Sequence, residues 1–177
     1  MQPVRFQDLI PLADDVLNQM RKRGLSLATA ESCTGGLVSA LLTSVPGSSD
    51  VLDRGFVTYS NAAKVEMLGV GHASLTREGA VSETVAGEMA AGALDRSEAD
   101  IAVAVTGVAG PGGSESKPEG RVCFAIAGRG TTRIRQHDFG AIGRDRVRFE
   151  SVDTALRLIL VLLQETDDEP RPDEEIA

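Results

Sequence analysis

The segment Asp100-Ile-Ala-Val-Ala-Val105 constrains the fold of this chain more than any other stretch. It is apolar almost throughout, and a strand of that kind has to be covered on both faces, so it belongs in the middle of a sheet with helices above and below. The surrounding patterns supply those helices. Phe6 to Arg23 reads as a helix with Leu9, Leu12, Val16 and Met20 on one face and Gly24 as its stop. Leu25 to Thr29 is a short buried strand, and Gly36 to Thr43 a second helix. Gly55 to Tyr59 is a strand, Asn61 to Leu68 a helix, and Gly69-Val-Gly-His72 breaks that helix. Ser82 to Arg96 is a long helix whose alanines, with Gly87 and Gly92, suit close packing on a sheet. Arg121 to Ala127 and Thr131 to His137 form a hairpin around Gly128-Arg-Gly130, and Arg144 to Leu163 is the last helix. The expected fold is α/β: a single three-layer domain with a mixed β-sheet flanked by helices. Its expected extent is 1–164, followed over 165–177 by an acidic, proline-containing tail read as disordered.

Composition removes several classes of function. No apolar run reaches the ~20 residues that a bilayer requires, and the N-terminus lacks the plan of a signal peptide. A cytoplasmic protein is expected, with no membrane partner. Cys33 and Cys123 are too few for a disulfide framework or a zinc cluster, and with only His72 and His137 a three-histidine metal site is impossible. Acidic residues outnumber basic ones, 26 to 18, for a formal charge of −8. That balance disfavours nucleic acid as a partner.

Three segments could carry chemistry. The first is Ala30-Glu-Ser-Cys-Thr-Gly-Gly36, a polar corner between a strand and a helix. Ser32 there is either a helix cap or a nucleophile with backbone amides at hand for an oxyanion. The second, Thr58-Tyr-Ser-Asn-Ala-Ala-Lys64, is another strand end running into a helix. Tyr59 is the only tyrosine, and Lys64 follows about one and a half helical turns later. Both side chains either line the crevice at the strand ends or are an ordinary strand tyrosine and a solvated lysine. The third is Thr106 to Gly120, rich in Gly and Pro directly after the central strand. It is either a nest of amides for an anion or a mobile connection; it lacks the GKS/GKT ending of a P-loop and the dinucleotide fingerprint. Without a histidine base, a serine–lysine pair is the available arrangement, and it requires a neutral lysine. At the reference pKa only about one lysine in a few thousand is neutral at pH 7.

Ala-Glu-Ser-Cys-Thr-Gly-Gly, Gly-Phe-Val-Thr-Tyr-Ser-Asn-x-x-Lys, Gly-Ala-Val-Ser-Glu and Thr-Gly-x-Ala-Gly-Pro with a later Lys-Pro occur here in one order. Together they resemble the CinA C-terminal domain family over about Phe6 to Leu163. The enzymatic members of that family are nicotinamide-nucleotide amidohydrolases. The resemblance implies hydrolysis of the carboxamide of nicotinamide mononucleotide (NMN) to nicotinic acid mononucleotide and ammonia, in pyridine-nucleotide recycling. It implies no metal and no cofactor. It puts three catalytic residues on this chain: the family's serine on Ser32, its lysine on Lys64 as the base, and its tyrosine on Tyr59 as an acid, a relay for the proton or a positioner. Glu31, Thr34, Gly35, Gly36 and Asn61 from the first two motifs fall on the substrate side. So do Thr106, Gly107, Gly110, Gly112 and Gly113 of the glycine loop, and Arg144 before the last helix. Two departures stand out. Gly-Pro-Gly-Gly is one residue shorter than the family's Gly-Pro-x-Gly-Gly form, and the larger N-terminal domain of full-length members has no counterpart, so a stand-alone deamidase is expected. The alternatives are a non-catalytic nucleotide-binding or competence-associated protein and an amidohydrolase with another substrate. The small-residue helix faces are compatible with a homo-oligomer.

Overall fold

Large and small side chains alternate along the central strands, and this alternation decides how the two helical layers form. The computed structural model describes residues 4–168 except 115 and 129. A 3-10 turn, Phe6–Leu9, leads into α1 (Ile10–Lys22). Then come β1 (Leu27–Glu31), α2 (Leu37–Thr43), β2 (Leu52–Val57), α3 (Asn61–Leu68), α4 (His72–Glu78) and α5 (Glu83–Asp95). The chain continues through β3 (Ile101–Gly107), β4 (Arg121–Gly128), β5 (Thr131–Asp138) and α6 (Arg144–Asp168). The sheet has the order β2-β1-β3-β4-β5. β1 runs parallel to β2 and β3, whereas β3–β4 and β4–β5 are antiparallel. This is the mixed, helix-flanked sheet that the sequence predicts.

One face of the sheet carries Leu27, Ile101, Val103, Val105, Val122, Phe124 and Ile126, which pack with α1, α2 and α6. The other face carries Ala28, Ala30, Ala102, Ala104, Cys123, Ala125 and Ala127, which pack with Val85, Ala86, Met89, Ala90 and Ala93 of α5. Successive strand residues point to opposite faces, so the period of two in Ile101-Ala-Val-Ala-Val105 builds both layers at once. The alanine face lets α5 lie close to the sheet, and α3 packs on α5 in turn. A Cβ added at Gly92 would overlap the carbonyl oxygen of Leu68. Only a glycine admits that approach of α3 to α5.

The topology fixes where a ligand can enter. From β1 the chain passes through α2 to β2 on one side, then through α3, α4 and α5 to β3 on the other. The two connections leave on opposite faces, which opens a crevice at the carboxyl ends of β1 and β3. Glu31 pairs with both Val57 and Val105, so the residues that follow each parallel strand meet there.

Several boundaries differ from expectation. β1 runs to Glu31, two residues beyond Thr29, and β2 starts at Leu52 and stops at Val57, leaving Tyr59 outside the strand. Residues 69–72 end α3 as predicted, but a further helix, α4, follows at once. Its seven residues are held from α5: the Glu88 carboxylate accepts hydrogen bonds from the Gly71 amide and the Ser74 hydroxyl. Ser82 caps α5 by accepting from the Val85 amide. α6 continues to Asp168, so residues 165–168 are helical, while the tail from 169 onward lies outside the described residues.

Gly92→Ala is expected to lower unfolding stability by about 1–3 kcal/mol through overpacking at the α3–α5 contact. A lowered urea midpoint with an unchanged slope is the expected result; a midpoint equal to wild type would contradict the contact as described.

Candidate active site

Glu31 shapes the corner that presents Ser32. Its side chain is fully buried at the end of β1. One carboxylate oxygen accepts from the amides of Gly36 and Val38, both at 3.0 Å, and the other from the amide and hydroxyl of Ser39, both at 2.9 Å. The free amides at the start of α2 favour an anion; here the anion is the protein's own. Gly35 and Gly36 have φ of +62° and +96°, left-handed values that fold the chain tightly between β1 and α2. The Gly35 amide donates to the Ser32 carbonyl and the Ser32 amide to Val105. Arg148 of α6 closes the corner by donating to the Thr34 carbonyl at 3.0 Å.

Lys64 comes to Ser32 from the other side of the crevice. It lies in the first half of α3, whose start is capped by the Ser60 hydroxyl accepting from the Ala63 amide. Lys64 is only 1% exposed and Ser32 8%. Lys64 Nζ stands 2.9 Å from Ser32 Oγ and donates to the Thr58 carbonyl at 2.8 Å. Thr58 is fixed in turn by its own amide, on the other side of the residue, which donates to the Glu31 carbonyl. Burial penalises the charged ammonium and pulls Lys64 down from its usual value to about 8, against a smaller opposing influence of Cys33. With that value about one lysine in ten is neutral at pH 7. A neutral amine has two N–H bonds and one lone pair. One N–H serves Thr58, and the lone pair is then free to face the Ser32 hydroxyl.

Cys33 lies beside Ser32 but has a different character. Burial pushes its thiol up to about 12. At neutral pH it is a protonated, weakly nucleophilic group. The amides of Cys33 and Thr34 turn toward its sulfur.

These groups border a cavity of about 390 Å³. Ser32, Cys33, Lys64, Tyr59, Asn61 and Arg144 line one part, Ala80 and Val81 another, and Thr106 to Ser114 a third. Thr106 anchors the segment before α5 by donating its hydroxyl to the Ala80 carbonyl at 2.8 Å. Tyr59 is 60% exposed, and its hydroxyl accepts from Arg144 at 2.8 Å. The same guanidinium donates to the Gly110 carbonyl at 2.8 Å. Arg144 therefore ties the β2–α3 turn to the glycine loop at the cavity mouth.

Of the residues singled out in the sequence, Ser32, Tyr59, Lys64, Asn61, Thr106, Gly107, Gly110, Gly112, Gly113 and Arg144 all border this one cavity. Glu31, Thr34, Gly35 and Gly36 do not. Glu31 caps α2, Thr34 is buried beneath Arg148, and the amides of Gly35 and Gly36 are taken by Ser32 and Glu31. Sequence reasoning offered the backbone amides of this corner for an oxyanion; of those from Thr34 to Gly36 only that of Thr34 is without a carbonyl or carboxylate partner among the described residues. It also passed over the Thr58 carbonyl, Arg148 and the Ala80–Val81 wall, whose only advance signal was the Gly-Ala-Val-Ser-Glu motif. Among the described residues no three His, Cys, Asp or Glu side chains gather as a metal site, and no helix is long and apolar enough to cross a membrane.

This crevice, on this fold, defines a class of protein. The family model for the CinA C-terminal domain matches residues 9–163, and the chain belongs to that family. Among solved structures, the competence/damage inducible protein CihA from Agrobacterium tumefaciens superposes with a TM-score of 0.85 at 48% identity, covering 93% of this chain and 99% of that one. Nicotinamide-nucleotide amidohydrolase PncC of Escherichia coli K12 is 47% identical over 154 residues, 86% of this chain and 93% of that protein. A CinA-like protein of Chlorobaculum tepidum is 48% identical over 165 residues, 89% of this chain but 38% of its own length. The chain spans well under half the length of the CinA-type relatives it matches.

Glu31→Gln introduces an amide donor among three backbone amides and a hydroxyl. It is expected to cost about 1–3 kcal/mol of unfolding stability, the range for a buried group left badly paired. Denaturant unfolding checks this, and a variant as stable as wild type would remove the capping role.

Proposed function

We propose that this protein is an amidohydrolase acting on the carboxamide of nicotinamide mononucleotide, with Ser32 as nucleophile and Lys64 as general base. The observation that carries the reading is the 2.9 Å approach of a buried Lys64 Nζ to Ser32 Oγ at the floor of an open cavity. The PncC relative's name supplies the substrate class, and its match along nearly its whole length supports the transfer.

The chemistry follows from the geometry. Ser32 Oγ attacks the amide carbon as its proton passes to the Lys64 lone pair. Negative charge develops on the carbonyl oxygen. Cys33 borders the cavity, and its amide donates to no backbone carbonyl among the described residues; that amide turns from the Cys33 sulfur to the developing charge. Collapse breaks the C–N bond, and the Lys64 ammonium returns its proton to the leaving nitrogen, which departs as ammonia. Water, deprotonated by Lys64, then hydrolyses the Ser32 ester and releases the carboxylate. A pyridinium in the substrate withdraws electrons from the amide and favours the neutral amine. Tyr59, held outward by Arg144, acts as a wall of the cavity and positions the ring rather than relaying the proton. The thiol of Cys33, kept protonated by burial, does not compete with Ser32.

Purified protein supplied with NMN is expected to release ammonia; no release would sink the substrate assignment. Ser32→Ala should abolish turnover, whereas full activity in that variant would leave the hydrolysis standing without this nucleophile. Lys64→Ala should lower kcat by roughly 10²–10⁴, the usual contribution of a general base, with a much smaller change in binding. Because the base works only when neutral, kcat/KM should rise with pH through a midpoint near 8. A flat profile from pH 6 to 9, values chosen to bracket roughly that midpoint, would contradict the role given to Lys64.

A further inference from the structure

The glycine loop forms one wall of the cavity, yet little apolar packing holds it there. Pro111, Gly112, Gly113 and Ser114 are all exposed. Its two stems are fixed by backbone bonds: the Val108 amide donates to the Arg121 carbonyl, the Gly120 amide to the Val108 carbonyl, and the Ser114 amide to the Lys117 carbonyl. Between these stems, among the described residues, one side chain lies against both Gly110 and Gly112. Glu119 accepts from the Gly112 amide at 2.6 Å, and its side chain is packed so closely under Gly110 that an added Cβ there would overlap the carboxylate. Glu119 does not border the cavity itself. Gly110, against which it packs, is also the residue whose carbonyl Arg144 grips from the cavity side.

We propose that Glu119 is a positioning residue: from behind the glycine loop its carboxylate holds the Gly110–Gly113 wall in the shape that meets the substrate, and so sets substrate affinity without touching substrate. This rests on the reading of the cavity as the NMN site. A charge-assisted bond to a backbone amide is strong for its size, and here it stands in for the core contacts that the loop lacks. Glu119 and Arg144 brace the same residue from opposite sides. Losing the carboxylate leaves Gly112 without its side-chain partner and Gly110 with empty space beneath it. The Ser32–Lys64 pair rests on β1, α3 and the Thr58 carbonyl, none of which Glu119 touches, so the chemical step is unaffected once substrate is bound.

The test compares wild type, Glu119→Ala and Glu119→Gln in the ammonia-release assay on NMN. Loss of a charged hydrogen bond of this kind predicts that Glu119→Ala raises KM about tenfold and leaves kcat within about twofold. Glu119→Gln, whose amide oxygen still accepts from Gly112, should recover most of the affinity. An unchanged KM in Glu119→Ala overturns the proposal. So does a fall in KM, which would make the carboxylate a competitor for the Gly112 amide, and so does a fall in kcat at unchanged KM. Hydrogen exchange of the ligand-free proteins reads the brace independently of any substrate: exchange across 110–114 should quicken in Glu119→Ala while β3 and β4 stay as in wild type. Unchanged exchange overturns the brace even if NMN proves not to be a substrate. Absence of turnover in wild type is a failure of the substrate reading alone.

Discussion

The alanine face of β1, β3 and β4 is the constraint on which the rest depends. Small side chains on that face draw α5 down onto the sheet, and Gly92 on α5 then admits the carbonyl of Leu68. Leu68 lies one helical turn beyond Lys64 on the same face of α3. The depth of α5 therefore sets the depth of α3, and with it the place of the lysine nitrogen under Ser32. A bulkier residue at Ala102 or Ala104 would act on the chemistry through this chain of contacts, although neither borders the cavity.

Two buried ionisable groups are handled in opposite ways. The Glu31 carboxylate is surrounded by four donors from α2, the environment that a buried charge requires. Lys64, equally buried, meets a carbonyl and a hydroxyl but no carboxylate among the described residues, and the cost of desolvating its ammonium raises the neutral fraction to about one in ten at pH 7. If these environments were exchanged, the lysine would stay charged and lose its use as a base. Glu31 and Lys64 are also linked through the backbone, because Thr58, whose carbonyl anchors Lys64, donates its own amide to the Glu31 carbonyl. The corner thus fixes the nucleophile and the base together.

The fold was largely legible because its signals are local. Ile101-Ala-Val-Ala-Val105 carries both layers in its alternation, and helices with a clear apolar stripe, such as α1, stand where the pattern puts them. α4 was not legible, because its stability comes from Glu88 on another helix, and no local pattern announces a cap supplied across space. Glu31 illustrates the same limit in the site. A carboxylate in a serine motif reads as a substrate contact, since a sequence does not reveal that four donors a turn away have already claimed it. Ser32, Lys64 and the glycine loop were legible as candidates because each follows a strand of the parallel set, where the topology must converge. Their mutual distance, and the burial that shifts Lys64, came only with the packing of α3 on α5.

The account stands on Lys64 being a largely desolvated amine beside Ser32. The most direct measurement is its own titration, followed by NMR on lysine labelled at Cε, with Lys64→Arg used to assign the signal. The account predicts a midpoint near 8 for this one lysine, well below its usual 10.5. A midpoint at the usual value would mean that the ammonium is solvated, with only about one lysine in a few thousand neutral at pH 7 instead of about one in ten, and that Ser32 has no effective base at this site.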